Sequence, residues 1–243
     1  MKKNFSFFAF ALFACAWTFS LSACGGDDDE NIETPEVPEN VGGVDNGHVY
    51  IDLGLPSGLK WADRNIGAQK VEAYGDYFAW GETKTKSNYS WNTYAYGRDD
   101  NKLTKYCSTA SFGLNGFTDE LNELEISDDA AHAKWGGSWR MPTSADFQEL
   151  IKNTTPEWVE NYNGEDVKGY RFTASNGNHI FLPVAGDRGD ASLYNAGSYG
   201  YYWSSSLNLS NPSEAYYLYL NSSGATMYKY SRFYGNCVRP VRS

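Results

Sequence analysis

The sequence predicts an α+β fold, a single domain with two helices early and a mostly antiparallel sheet after them. Three observations carry that expectation. Thr143 and Asp146 stand three residues apart ahead of an apolar stripe of Phe147, Leu150 and Ile151, which marks the start of an amphipathic helix. Asn176-Gly177 lies between the apolar runs 170–174 and 179–182 and reads as a hairpin turn. The stretch Tyr194 to Ser243 holds ten of the nineteen tyrosines among many Ser, Asn and Gly residues, and tyrosine favours strands.

Taken in order, runs 49–53 and 59–65 flank the turn residues Pro56-Ser57-Gly58 and predict an opening hairpin. Residues 74–83 are aromatic and read as a strand with a loop, whereas 84–118 are polar, lack periodicity and read as a long loop region. Residues 127–135 read as a short helix capped by Ser127 or Asp128, with a carboxylate at its positive end. Four further strands are expected at 200–206, 215–220, 225–230 and 237–242. No repeat of solenoid or propeller length is present.

Composition bounds the function. With 243 residues, 41% of them hydrophobic and 21% charged, the chain has the make-up of a globular protein able to bury a core. A net charge of −10, with no basic cluster after Lys3, argues against nucleic acid as a partner. Residues 1–23 read as an export signal, with Lys2 and Lys3 before an apolar run from Phe5 to Leu21 that Ser6, Thr18 and Ser20 interrupt. Leu21-Ser22-Ala23-Cys24-Gly25 resembles the lipobox of bacterial lipoproteins. That resemblance implies cleavage before Cys24 and acylation of its thiol, so that the membrane is engaged through Cys24 only. The acidic run Asp27-Asp28-Asp29-Glu30 looks like the surface-export signal of Bacteroides-group lipoproteins and implies an outer-membrane protein facing the cell exterior. Residues 24–46 read as a disordered stalk, since Gly25 to Asn46 contain eight acids and no base, and 47–243 read as the domain. Cys107 and Cys237 could persist as a disulfide in an oxidising compartment, and the sequence leaves their pairing open.

Several blocks point together to a family: residues 50–61 (YIDLGLPSGLKW), Phe78 to Thr83 (FAWGET), Asp128-Asp129-Ala130-Ala131-His132, residues 135–143 (WGGSWRMPT), Tyr201 to Ser206 (YYWSSS) and Val238-Arg239-Pro240-Val241. Over essentially Gly47 to Ser243 the chain resembles the Fibrobacter succinogenes major paralogous domain (FISUMP) family. That family looks related to the C-type-lectin-like fold, which it shares with formylglycine-generating enzymes and with variable receptor-binding proteins. The resemblance implies a twisted antiparallel sheet flanked by two helices, with a loop-rich ligand face near the C-terminus. It implies a fold and a location more than an activity.

The residues offer little to an enzyme. Cys107 and Cys237 do not match the cysteine-pair context of the formylglycine-generating relatives, and His48, His132 and His179 are scattered without zinc-binding spacing. There is no nucleophile elbow, P-loop or dinucleotide fingerprint. Glu125, Asp128 and Asp129 could supply calcium ligands, but helix N-terminal electrostatics is the favoured reading, and no cofactor is expected. Asn211-Pro212-Ser213 and Trp203-Ser204-Ser205 match neither sugar-binding tripeptide of calcium-dependent lectins.

What remains is recognition through rings and amides, with alternate tyrosines facing a core and the others free to bind. The expected ligand-binding residues are Asn208, Asn211, Asn221, Tyr228, Tyr230, Arg232 and Tyr234. Trp203, Trp139 and Arg140 are assigned to the scaffold, Arg140 paired with a carboxylate such as Asp129. The expected function is a non-catalytic surface module that binds a glycan or a protein. A structural subunit of a surface assembly, such as a pilus tip or envelope complex, is the alternative, and an enzyme stands third.

Overall fold

The computed structural model describes residues 42–243; the export signal, Cys24 and the acidic run lie outside the described residues. In chain order its elements are β1 (Gly42–Asp45), β2 (His48–Ile51), β3 (Lys60–Ala62), α1 (Ala130–Trp135), α2 (Ser144–Asn153), β4 (Thr154–Val159) and β5 (Gly169–Ala174). They continue with β6 (His179–Pro183), β7 (Asp187–Gly189), β8 (Ser192–Tyr194), β9 (Gly200–Leu207), β10 (Glu214–Asn221), β11 (Gly224–Ser231) and β12 (Val241–Arg242). The strands form antiparallel sheets of order β1-β2-β3-β12, β4-β5-β6 and β11-β10-β9, with a two-stranded ribbon β7-β8. The fold is mostly antiparallel β with two α-helices among the described residues, in agreement with the expected class at that level. No described helix is long and apolar enough to cross a membrane.

Gly42 to Asn46, read from the sequence as the end of a stalk, belong to the fold. Asn46 and Gly47 both have positive φ (47° and 81°), making the two-residue turn that joins β1 to β2 in register from Asp45↔His48 to Gly42↔Ile51. The Asn46 amide also donates to the Trp135 carbonyl. The opening hairpin expected from Pro56-Ser57-Gly58 is present, with Tyr50 opposite Ala62 and Ile51 opposite Trp61.

Residues 74–83 form no strand. Phe78 makes one isolated bridge to Asn236, and the segment turns Tyr77, Phe78 and Trp80 into the interior. Residues 84–118 lack strands, as expected, yet Tyr89, Tyr94, Leu103, Tyr106 and Cys107 are fully buried. A run without periodicity thus supplies core.

The two helices differ in how they begin. α2 has the expected capping box: the Thr143 hydroxyl accepts from Asp146 N at 3.1 Å and the Asp146 carboxylate from Thr143 N at 2.8 Å. The cap of α1 is Asp129, not Ser127 or Asp128; Asp129 accepts from His132 N at 2.9 Å and Met141 N at 2.8 Å. Asp128 is unavailable because Lys105 and Tyr106 hold its carboxylate at 2.6 and 2.5 Å. Arg140 pairs with Asp146 at 2.7 Å rather than with Asp129, whose oxygens face backbone N–H groups. β4, for which the sequence carried no expectation, contains Pro156, tolerated because β4 is an edge strand of its sheet.

The β9–β11 sheet separates two apolar clusters, because side chains alternate across a strand. Tyr202, Leu218 and Leu220 pack with Phe147, Phe172 and Leu182 on one side. Trp203, Ala215 and Tyr217 pack with Trp80, Tyr106 and Trp139 on the other. Trp203 and Trp139 are scaffold, as assigned. The indoles of Trp203 and Trp80 donate to Phe78 O and Ser204 O at 2.9 and 2.8 Å, tying the 74–83 segment to β9. Cys107 and Cys237 are buried free thiols.

Arg232, expected at a ligand face, is instead 0% exposed. Its guanidinium donates to the carbonyls of Tyr106 and Lys105 at 2.8 and 3.2 Å and lies over the Trp80 and Tyr94 rings. Arg239, equally buried, donates to Ala62 O, Asp63 O, Phe181 O and the Asn65 side chain at 2.8–3.2 Å. Burial lowers the pKa of both groups. Arg239→Ala strands those buried acceptors and should cost about 3 kcal/mol or more. Arg239→Lys, which keeps the charge but not the planar fork, should recover only part of it. Urea unfolding midpoints at constant m-value measure both.

Candidate functional site

A cleft of about 560 Å³ opens where three segments distant in sequence meet. The β7-β8 ribbon supplies Asp187, Asp190, Tyr194 and Asn195; the end of β11 and the turn after it supply Tyr230, Phe233 and Tyr234; the loop at 90–92 supplies Trp91. Backbone pairing sets their positions. Tyr89 and Asp190 exchange two N–H···O bonds of 2.8 Å, laying the 90–92 loop against the ribbon. Arg188 and Gly235 exchange two more at 2.7 and 2.8 Å, laying the 233–235 turn against β7.

Two glycines permit these approaches. A Cβ on Gly235 would lie 2.6 Å from the Tyr89 ring, and one on Gly189 would lie 2.9 Å from the Tyr234 ring. Asp190, in the turn between β7 and β8, and Asn195, just after β8, both have positive φ (48° and 60°), a conformation that Asn and Asp tolerate.

The walls are aromatic. Trp91 meets Phe233 at 5.2 Å between ring centres, Phe233 meets Tyr234 at 4.2 Å, and Tyr234 stacks on Tyr230 at 4.2 Å. From Tyr230 the contacts continue through Tyr201 (5.7 Å) and Tyr219 (5.5 Å) to Tyr199 (5.7 Å). Tyr199 lines a second hollow of about 320 Å³ together with Trp158, Lys168 and Asn221. A relay of tyrosines therefore joins two depressions.

The floor of the cleft is Asp187, 1% exposed. Its carboxylate accepts from the Asn195 amide at 3.1 Å and the Tyr230 hydroxyl at 3.2 Å. Burial raises its pKa above the ordinary 3.8, and those two neutral donors only partly offset it. Burial, then the adjacent Asp187 charge, likewise raises the Tyr230 hydroxyl, which stays protonated and able to donate. A polar floor under aromatic walls suits a ligand with hydroxyl or amine groups on an otherwise flat, ring-like body.

Of the residues expected to bind ligand, Tyr230 and Tyr234 are brought together here. Asn221 lies in the second hollow, where it accepts from Ser223 N at 2.8 Å to close the β10–β11 turn. Tyr228 is 53% exposed on the edge strand β11 and meets Tyr219 edge-on at 5.6 Å. Asn208, 2% exposed, donates to Glu214 at 3.0 Å, and Asn211 accepts from the Ser213 hydroxyl at 2.7 Å, so both serve the β9–β10 connection. Arg232 is interior. Sequence reasoning missed Trp91, Asp187, Asp190 and Asn195; the only local signal was a turn-rich stretch, Asp187-Arg188-Gly189-Asp190, with an Asn after Tyr194.

The acidic group weighed for calcium is otherwise engaged. Lys105 holds Glu125 at 2.5 Å and Asp128 at 2.6 Å, and Asp129 caps α1. Burial alone would raise Asp128, but Lys105, Tyr106 and Tyr96 hold it below the ordinary value. Among the described residues no group of three or more His, Cys, Asp or Glu is placed to hold a metal ion.

Comparison with known proteins adds one finding. A family model described as a domain of unknown function (DUF8237) matches residues 147–241, a span that includes the cleft residues from Asp187 to Tyr234 but not the 90–92 loop. No curated protein and no solved structure matches the chain significantly.

The raised pKa of Asp187 has a measurable consequence. Folding favours its protonated form, so its contribution to stability is full below the unfolded value and is lost as pH rises through the folded value. Asp187→Asn cannot ionise. Its melting temperature should exceed that of the parent at pH 7, and the difference should shrink as the medium is acidified toward 3.8.

Proposed function

We propose that this protein is a non-catalytic binding module that holds a glycan across the aromatic cleft. The observation that carries this reading is the row Trp91–Phe233–Tyr234–Tyr230 standing beside the polar groups of Asp187, Asp190 and Asn195. Flat apolar rings suit the faces of pyranose rings, while amide, hydroxyl and carboxylate groups suit their rims. The tyrosine relay to the second hollow supports a ligand longer than one sugar, lying over the exposed Tyr228 and Tyr199 end of the sheet.

The reading sits within a C-type-lectin-like fold of the FISUMP kind. Support comes from the antiparallel sheets, the two helices and the Arg140-Met141-Pro142-Thr143 lead into the capping box of α2. We further propose that acylated Cys24 tethers the domain to the outer membrane, facing outward, as the lipobox and the acidic residues after it suggest.

Titrating the full-length protein with a panel of soluble oligosaccharides tests the site. Trp91→Ala and Tyr234→Ala should each weaken binding about tenfold, the equivalent of ~1.4 kcal/mol, while Leu209→Ala, exposed and outside the cleft lining, should leave it unchanged. Absence of binding to every oligosaccharide, or affinity indifferent to both ring deletions, would sink the proposal. Turnover of a bound oligosaccharide that stops in Asp187→Asn would replace it with hydrolysis.

A further inference from the structure

Every formally charged side chain lining the cleft is negative: Asp187 at the floor and Asp190 at the exposed edge, with no Lys or Arg among them. The basic residues of the neighbouring segments stay out of the lining, although one of them, Arg98, bonds to the lining residue Asn92. Arg188, between the two aspartates in sequence, lies with its guanidinium 5.1 Å from the centre of the Tyr77 ring. Arg98 donates to Asn92 O at 2.7 Å from outside the lining. Lys86 pairs with Glu82 at 2.9 Å and lies over Tyr89 and Tyr94.

Asp187 is nearly inaccessible, and its two side-chain partners are neutral donors at 3.1 and 3.2 Å. A buried carboxylate without a cationic partner is electrostatically incomplete, and a cation beside it gains charge-assisted hydrogen bonds that water does not match. The same cleft presents the rings of Trp91, Tyr194, Tyr230, Phe233 and Tyr234. Ring faces attract cations, most strongly when water is excluded. Both features favour the same ligand charge.

We propose that the cleft selects glycans carrying a free, protonated amine, an amino sugar without its N-acyl group, by seating the ammonium against Asp187 and Asp190 among the rings. This rests on the glycan reading above and narrows it to a substrate class. The amine supplies the positive charge that the lining lacks, and the sugar ring supplies the flat face that Trp91 and Tyr234 accommodate.

The test compares three soluble tetramers against the full-length protein: the β-1,4-linked glucosamine tetramer with its amines protonated, its fully N-acetylated counterpart and cellotetraose. All three have the same linkage and differ in the group at carbon 2. The glucosamine tetramer should bind about tenfold more tightly than either neutral tetramer, and added salt should reduce that preference. Asp187→Asn should abolish the preference. Asp190→Asn, at an exposed position where folding is not at risk, should reduce it severalfold; Trp91→Ala should weaken all three ligands alike.

Equal binding of the three tetramers, still sensitive to Trp91→Ala, would overturn the amine proposal while leaving the glycan reading in place. Loss of all oligosaccharide binding would remove both. A lysine oligomer that displaces the glucosamine tetramer at equal concentration would assign the cleft to peptide amines and overturn the amino-sugar class. A preference unchanged in both aspartate variants would also overturn it.

Discussion

Loops that run through a protein interior carry carbonyl oxygens into a medium without water, and each of these needs a donor. This chain has much interior of that kind, since residues 63–129 contain no strand and only short turns of helix yet contribute Tyr77, Trp80, Tyr94 and Tyr106 to the core. Arg232 and Arg239 meet the need. Each guanidinium presents several donors in one plane, and together they reach the carbonyls of Tyr106, Lys105, Ala62, Asp63 and Phe181. The indoles of Trp80 and Trp203 add two reciprocal bonds between the loop and β9. Through these bonds the irregular segment is tied to the sheets, and the 90–92 loop forms a wall of a cleft.

Two buried aspartates show how differently one side chain can be used. Burial raises the pKa of both Asp129 and Asp187. Asp129 is embedded in fixed backbone: His132 N and Met141 N reach it at 2.9 and 2.8 Å, joining the start of α1 to the strand-like segment before α2. Its role is architectural, with no vacancy to fill. Apart from its own backbone N–H, Asp187 is held by two side chains, at longer distances, and both of those side chains line the same cleft. Side-chain donors can rotate toward a ligand as backbone N–H groups cannot, so the second arrangement is responsive where the first is rigid.

How much could be read in advance follows from the range of the interaction involved. The α2 capping box, the 176–177 hairpin, and β9, β10 and β11 were legible because each depends on residues within a few positions of one another. The α1 cap, expected at Ser127 or Asp128, falls on Asp129, because Lys105 and Tyr106, more than twenty positions away in sequence, occupy Asp128. β1 was hidden within an acidic stretch, although Asn46-Gly47 between Val44 and Val49 was a turn signal that could have exposed it. β7 and β8 are three residues each, too short for any periodicity to reveal them. At the site, Tyr230 and Tyr234 stood out by composition. Trp91, Asp187 and Asn195 join them only through backbone pairings between remote segments. Arg232 looked like a surface recognition residue because nothing local distinguishes an arginine that serves water from one that serves buried carbonyls.

The first and last strands share one sheet: β1 is hydrogen-bonded to β2, β2 to β3, and β3 to β12. Tension applied at Gly42 or at Ser243 therefore enters the same four-stranded unit. The cleft belongs to other elements, the β7-β8 ribbon, the end of β11 and the 90–92 loop. The 233–235 turn of the cleft is joined to β12 through residues 236–240, whose backbone bonds to Phe78, β9 and β3, so load entering at that chain end is shared among those pairings before it reaches the cleft.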